Sequence, residues 1–121
     1  IYAYYQRHGR TPPPEELHLY LIDGIGQSYM PDSCWPETID EVMTVDDATA
    51  YRAVFDVARS EAIFTGSSGG AAAFAARELA RTLPEDALVV TLFPDSGERY
   101  LSKLNPEWMK EKGLLGAKEG L

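Results

Sequence analysis

The sequence predicts an α/β fold, a parallel sheet flanked by helices in a three-layer αβα arrangement. Two observations lead to this class. Strand-like and helix-like patterns alternate along the chain, with "EVMTV" leading into "DATAYRAVFDVARSE" and "IFT" leading into "SSGGAAAFAARELA". The segment "ALVVTLFP", residues 87–94, is apolar without alternation, which is typical of strands buried on both faces of a parallel sheet. Strands and helices in this order form right-handed βαβ units.

The first sixteen residues precede this alternation. "IYAYYQRH", residues 1–8, fits a short helix or an extended piece equally well. The three prolines of "GRTPPPEE" then enforce an extended connection at the surface. We therefore divide one domain, 1–121, into a leading segment with a proline loop (1–16), an α/β core (17–115) and a tail (116–121).

The core begins with a strand pattern and continues with three helix patterns. "LHLYLID", residues 17–23, alternates with period two, and "EVMTV", residues 41–45, is a short apolar strand that ends at a good helix cap, Asp46. A second helix follows the serine-rich stretch, and a third starts near Asn105 and stops at Gly113. The residues expected on the buried faces of the first two helices are Ala50, Val54, Val57 and Ala58, and then Ala72, Ala75, Ala76, Leu79 and Leu83.

Composition and charge limit the classes of function. Hydrophobic residues make up 45% of the chain and charged residues 25%, which are globular values. The net charge of −8 argues against nucleic acid or an anionic membrane as a partner. No apolar run approaches a membrane span, and the single cysteine, Cys34, excludes an internal disulfide, so we expect a cytoplasmic protein. Because the first residue is Ile1 rather than Met, we expect a piece of a longer protein or a processed product.

Two loops could carry chemistry, because each follows the carboxyl end of a predicted strand, where α/β sheets bind ligands. "GSSGG", residues 66–70 (the serine loop), also begins a helix whose free N–H groups favour an acceptor or anion. It is equally compatible with a capped helix start that packs tightly. For "DSGER", residues 95–99 (the DSGER loop), the simpler interpretation is a turn in which Asp95 caps a helix and Glu98 closes the capping box. If their strands are neighbours, the two loops face one another across one crevice.

The remaining candidate residues are weaker. His8 and His18 are ten apart, without a carboxylate or cysteine at ligand spacing, so the sequence predicts no metal site. Cys34 lies between prolines without an evident histidine partner, and a packed loop residue explains it better than a nucleophile. The serine loop matches neither GxGxxG nor GxxxxGK[ST], which argues against a nucleotide site.

Three motifs occur in a distinctive order: "DGIGQSYMP", "IFTGSSGGAA", and "LFPDSGERYLSK" followed by "NPEWM". Together, with helical segments between them, they resemble the C-terminal part of the cystathionine β-synthase and cysteine synthase family. The members of this family are pyridoxal-phosphate enzymes of fold type II, and the resemblance extends from about residue 1 to 115. "YLSK" and "EWM" favour the cystathionine β-synthase branch.

The resemblance implies residues that bind pyridoxal 5′-phosphate. Ser67 matches the serine whose hydroxyl donates a hydrogen bond to the pyridine nitrogen. Gly24 and Gly26 match a segment beside the cofactor and substrate that lets the site close. Pro94 and Asp95 match the loop that borders the pyridine ring. The Schiff-base lysine and the phosphate loop of the family lie upstream of this sequence, so we expect no catalytic residue within this chain.

The implied function is that of a C-terminal fragment of a pyridoxal-phosphate-dependent lyase or transferase of cysteine biosynthesis. In a cystathionine β-synthase-like reaction, serine or an activated serine loses its β-substituent through an aminoacrylate, and a thiol then adds. The alternatives are a cysteine synthase that uses O-acetylserine and sulfide, and a non-catalytic α/β module that binds a ligand. The implied partners are the missing N-terminal part, a second copy in a homodimer, and a small amino-acid substrate.

Overall fold

A computed structural model describes residues 1–115, and helices are the regular secondary structure within this range. The helices are α1 (Tyr2–His8), α2 (Asp47–Glu61), α3 (Ser67–Ala80) and α4 (Pro106–Glu111), with short 3₁₀ helices at Pro14–Glu16, Pro36–Thr38 and Gly97–Tyr100. Residues 1–8, for which the sequence left two possibilities, are therefore helical. No helix in the described part of the chain is long and apolar enough to cross a membrane. The predicted tail, 116–121, lies outside the described residues.

Helix α2 begins and ends where the sequence predicts, because a local cap fixes its start. The carboxylate of Asp46 accepts the Thr49 N–H at 2.9 Å and the Thr49 hydroxyl at 2.8 Å. These bonds, chiefly the one from the amide, hold the pKa of Asp46 below its usual value. The helix ends at Ala62, whose φ of 57° lies in the left-handed region. Ala50 and Val54 are buried as predicted.

Helix α3 packs along α2, and its burial is greatest in the first turn and declines toward its end. Its buried residues run from Ser67 to Ala71, whereas Leu79 is exposed. Gly70 permits the close contact, since a Cβ there would lie 2.2 Å from the Ala50 carbonyl oxygen and 2.8 Å from Val54 Cγ2. The serine loop thus contains a glycine that the helix packing requires, as the packing interpretation of this loop expects.

The predicted parallel sheet does not form within residues 1–115. The segments 17–23 and 41–45 make no β-ladder there, and one isolated antiparallel bridge joins Thr65 to Ser96. Strands are stabilised by hydrogen bonds to neighbouring strands, which the described part of the chain does not supply. The helical part of the α/β prediction is therefore found, and the sheet is not.

The segment 87–94 differs most from expectation. It was predicted to be buried on both faces, but Leu88, Val90 and Leu92 are 88%, 82% and 74% exposed. No element within residues 1–115 covers these side chains. These three apolar side chains therefore have no packing partner among residues 1–115.

The C-terminal part of the described chain completes the core. The Asn105 side chain accepts the Trp108 N–H at 3.0 Å, and Gly113 follows α4 with a φ of 71°, so both helix boundaries agree with the prediction. The core cluster contains Ile22, Ala50, Tyr51, Val54, Ala71, Leu104, Met109, Leu114 and Leu115. This packing places Ile22, and with it the start of "DGIG", beside the first turns of α2 and α3.

Candidate functional site

The serine loop and the DSGER loop meet in the structure. The Gly97 N–H donates to the Phe64 carbonyl oxygen at 3.0 Å, and the Thr65 hydroxyl donates to the Asp95 carbonyl oxygen at 3.2 Å. These contacts flank the bridge between Thr65 and Ser96. The two loops that the sequence singled out therefore lie side by side, although no β-ladder within residues 1–115 brings them together.

Asp95 does not cap a helix as predicted. Ser96 precedes the 3₁₀ helix and accepts the Glu98 N–H at 3.5 Å. One carboxylate oxygen of Asp95, Oδ2, accepts instead the hydroxyl of Tyr100 at 2.5 Å, and this bond raises the pKa of Tyr100. Asp95 is thus committed to a tertiary contact, which explains why the neighbouring serine takes the cap.

The other carboxylate oxygen of Asp95 lies against the serine loop without a partner. Oδ1 is buried and accepts no hydrogen bond within residues 1–115. It packs so closely on Gly66 that a Cβ at this position would be 2.4 Å away. A buried acceptor without a donor is costly, so this oxygen marks a place where a polar group from elsewhere would be stabilised.

The two serines of the loop have different surroundings. Ser67 is 1% exposed, and its Oγ accepts the N–H of Asp23 at 3.1 Å. It is also hydrogen-bonded to the Tyr51 side chain. Ser68 is 7% exposed, and its hydroxyl makes no hydrogen bond with any described residue. The loop therefore presents one hydroxyl that is tied into the fold and one that is free to donate.

Tyr51 connects this loop to the start of "DGIG". Its hydroxyl donates to the Leu21 carbonyl oxygen at 3.0 Å. Burial raises the pKa of Tyr51 to about 12, and the hydrogen bond with Ser67 opposes that rise only in part. The phenol is therefore neutral across the physiological range and acts as a fixed donor.

The glycines predicted to lie beside a ligand follow an anchored segment. Asp47 accepts the backbone N–H groups of Leu21 at 2.9 Å and of Ile22 at 3.2 Å. Gly24 and Gly26 then take φ values of 84° and 72°, which favour glycine. We call residues 24–29 the glycine loop; all of them are exposed.

The remaining predicted residues lie at the edge of this site or away from it. Pro94 is exposed and precedes Asp95 directly. His8 ends α1, and Cys34 is a half-buried loop residue. Within the described chain, no group of three or more His, Cys, Asp or Glu side chains could hold a metal ion.

Sequence reasoning missed Asp47, Tyr100 and Lys103. The Lys103 ammonium contacts the Asp23 carboxylate at 2.7 Å across 80 residues of sequence. Asp47 accepts hydrogen bonds from Leu21 and Ile22, which are 26 and 25 residues away, and no local sequence pattern predicts such pairs. Only the position of Tyr100 five residues after Asp95 could have suggested a contact.

Comparison with known proteins identifies the family of the chain. The family model for pyridoxal-phosphate dependent enzymes matches residues 2–95, so the chain belongs to that family. It is 42% identical over 88 residues to the O-acetylserine dependent cystathionine beta-synthase of Bacillus subtilis, covering 73% of this chain and 29% of the relative. The cysteine synthase of Helicobacter pylori is 38% identical over 95 residues, covering 78% of this chain and 29% of the relative.

Solved structures agree with this classification. The crystal structure of O-ureido-L-serine synthase superimposes with a TM-score of 0.70 at 30% identity, covering 89% of this chain and 32% of that chain. A hydrogen sulfide-producing enzyme in complex with an alpha-aminoacrylate intermediate gives a TM-score of 0.65 at 32% identity, covering 73% of this chain and 26% of that chain. The chain spans less than a third of the length of the curated relatives it matches.

The residues at the junction of the two loops fit the cofactor of this family. A pyridine nitrogen needs a hydroxyl donor, and the serine loop places two hydroxyls at the start of a helix, one of which has no hydrogen-bond partner among residues 1–115. Asp95 Oδ1 adds an unpaired acceptor next to the same loop. This buried oxygen has no donor within residues 1–115, as expected where a polar molecule binds.

Proposed function

We propose that the protein containing this chain is a pyridoxal-phosphate-dependent β-replacement enzyme of the cystathionine β-synthase type. It would exchange the β-substituent of serine or an activated serine for a thiol. The observation that carries this proposal is the 42% identity over 88 residues to an O-acetylserine dependent cystathionine beta-synthase. The chain would supply the C-terminal part of the site, and the rest of the protein would supply the reacting lysine.

In this proposal the serine loop holds the ring nitrogen of the cofactor. Bound pyridoxal phosphate withdraws electrons from the amino acid so that a β-substituent can leave. Ser67 would donate a hydrogen bond from its hydroxyl to the nitrogen, and a hydroxyl, unlike a carboxylate, leaves that nitrogen neutral. A neutral ring is the weaker electron sink, which suits replacement of a β-group over reactions that need a long-lived carbanion.

Ser68 is a specific alternative to Ser67 for this role. The Ser67 hydroxyl already contacts Asp23 and Tyr51, whereas the Ser68 hydroxyl has no partner among the described residues. A donor with no competing acceptor is available to a ligand without breaking a bond of the fold. The assignment of Ser67 stays a prediction, and single substitutions at the two serines decide between them.

The glycine loop and the DSGER loop would complete this side of the site. Gly24 and Gly26 would lie beside the cofactor and substrate, where their positive φ values let the backbone fold over the amino acid and exclude water. Pro94 and Asp95 would border the ring. The Tyr100 hydroxyl bonded to Asp95 Oδ2 orients that carboxylate toward Gly66.

Cysteine synthase activity is the second candidate. The 38% identity to a cysteine synthase supports it, and the residues of this chain do not select between sulfide and a larger thiol. For either activity we propose a cytoplasmic homodimer in which the N-terminal part of the same protein packs on this chain. The third candidate is a non-catalytic α/β module, and a protein that binds no cofactor would support it.

The test is a substrate matrix with the longest gene product that contains this chain. O-acetylserine and serine are each combined with homocysteine and with sulfide, and bound cofactor is measured from its visible absorbance. We expect bound cofactor and faster formation of cystathionine than of cysteine. Preference for sulfide would support cysteine synthase, and a protein that binds no cofactor would contradict the enzyme proposal.

A further inference from the structure

An ion pair joins the base of the glycine loop to the turn that follows the DSGER loop. The Lys103 ammonium lies 2.8 Å from Asp23 Oδ1 and 2.7 Å from Asp23 Oδ2, so it contacts both carboxylate oxygens. The two side chains are 36% and 37% exposed, and 80 residues separate them in sequence. Asp23 is the residue directly before Gly24.

Asp23 is held from a second side by the serine loop. Its N–H donates to Ser67 Oγ at 3.1 Å, while the preceding residues are held by Asp47 at the start of α2. Beyond Asp23 the contacts become sparse. A Cβ on Gly24 would meet nothing within 4 Å, and the Gly26 carbonyl oxygen accepts the Tyr20 hydroxyl. Asp23 is therefore the last residue that bonds to α3 or to the turn after the DSGER loop before the exposed glycine loop begins.

The backbone around Lys103 is itself fixed. The Lys103 N–H donates to the Tyr100 carbonyl oxygen at 2.8 Å, and the Tyr100 hydroxyl holds Asp95. The lysine therefore connects the DSGER loop to the glycine loop, while Ser67 connects the glycine loop to the serine loop. All three segments of the candidate site meet at Asp23.

We propose that Lys103 is a positioning residue, which through Asp23 holds the glycine loop in a fixed orientation relative to the serine loop. The inference rests on the proposed function, because the orientation matters for the amino acid that the glycine loop would cover. In this role Lys103 acts through Asp23 rather than by contact with the cofactor or the reacting atoms. Its effect belongs to binding of the amino-acid substrate and not to binding of the cofactor.

The chain offers a matched control for this role. The Lys112 ammonium lies 2.8 Å from the adjacent Glu111 carboxylate and is 39% exposed, so it resembles Lys103 in exposure and pairing distance. That pair joins two sequence neighbours and spans no loop. Lys112→Met therefore removes the ion pair of a similarly exposed lysine without releasing the glycine loop. Lys103→Arg keeps a cation that can pair with both carboxylate oxygens.

The experiment uses the longest gene product that contains this chain, carrying Lys103→Met, Lys112→Met or Lys103→Arg. Backbone hydrogen exchange of residues 21–26 is measured by mass spectrometry, and KM, kcat and cofactor affinity are measured separately. In Lys103→Met we expect exchange in this segment and the KM for the amino acid to rise about two- to fivefold, the range that partly exposed ion pairs give. Cofactor affinity stays unchanged, and Lys112→Met matches the unmodified protein.

Lys103→Arg should restore both quantities, and high salt should bring the unmodified protein toward Lys103→Met because salt screens exposed pairs. Equal exchange at residues 21–26 in all variants would overturn the proposal. Faster exchange with an unchanged KM would also overturn it, since the pair would then hold the loop without positioning it for substrate. An unmodified protein without β-replacement activity would refute the proposed function instead, and the exchange data would still show whether the pair holds the loop.

Discussion

Two neighbouring serines at the start of α3 show how much a single residue's surroundings matter. Ser67 and Ser68 are adjacent in sequence, but one hydroxyl is bonded to Asp23 and Tyr51 and the other to no described residue. A sequence motif can assign a role to each serine only from its position in the motif. The structure distinguishes them by the hydrogen bonds that each substitution would remove.

Ser67→Ala and Ser68→Ala should therefore differ in a measurable way. Ser67→Ala leaves the Asp23 N–H without its acceptor, so we expect the free energy of unfolding of the cofactor-free protein to fall by about 1–3 kcal/mol. If Ser67 also holds the pyridine nitrogen, cofactor affinity falls as well. The control is Ser68→Ala, which breaks no bond of the fold and should leave stability in the cofactor-free protein nearly unchanged.

Thermal unfolding without cofactor and cofactor titration separate these effects. Loss of cofactor affinity in Ser68→Ala alone, with Ser67→Ala affecting only stability, would assign the ligand role to Ser68. That result would contradict our assignment of Ser67 and leave the serine loop as the cofactor site.

At the scale of elements, the sequence predicted what local interactions determine. Helix α2 has its expected bounds because Asp46, the apolar spacing and the helix itself lie within sixteen consecutive residues. The position of α4 was predictable for the same reason, from Asn105 and Gly113. The cap on the 3₁₀ helix was mispredicted because Tyr100 engages Asp95, and a side-chain contact of this kind competes with the local capping pattern.

Strands and the site's cross-links could not be predicted from local patterns. Residues 87–94 have strand-like composition, but a strand forms only when a neighbour is present. The contacts of Asp47 with Leu21 and of Lys103 with Asp23 join residues 26 and 80 positions apart. The sequence thus located the two loops and the glycines, whereas the polar contacts that assemble them became visible only in the structure.

The cap of α2 yields a prediction with a defined pH dependence. Asp46→Ala removes the acceptor for the Thr49 N–H and should lower the free energy of unfolding by about 1 kcal/mol at neutral pH. Asp46→Asn keeps an acceptor oxygen and serves as the control, with a smaller loss. Chemical denaturation across the acid range measures both variants.

The sign of the pH effect follows from the lowered pKa of Asp46. The carboxylate's contribution is complete above its unfolded pKa of 3.8 and is lost as pH falls through the lower folded-state pKa. Asp46→Asn should lack this part of the acid sensitivity. An unchanged acid profile in Asp46→Asn would show that the capping bond does not depend on the charge.

At the scale of the whole molecule, the main feature is apolar surface that the described chain leaves uncovered. Leu88, Val90 and Leu92 are exposed along one segment, and Leu19 is exposed in another. Large exposed apolar patches mark interaction surfaces. Because the chain spans less than a third of its curated relatives, we propose that the remaining part of the protein covers these segments and pairs with them as strands.

The 121 residues produced alone should therefore associate. Light scattering and binding of an apolar dye are expected to show oligomers or aggregates with accessible apolar surface. The longest gene product serves as the control and should bind far less dye per chain. A monomeric, weakly dye-binding preparation of the 121 residues would contradict the proposal that a missing segment covers this surface.

The central claim is that this chain forms one side of a pyridoxal-phosphate site whose reacting lysine lies in another part of the same protein. The most direct test is reduction of the cofactor-loaded, longest gene product with borohydride, followed by mass spectrometric mapping of the pyridoxyl group. We expect the group on one lysine outside residues 1–121. A pyridoxyl group on Lys103, Lys110, Lys112 or Lys118, or on no lysine, would contradict the claim.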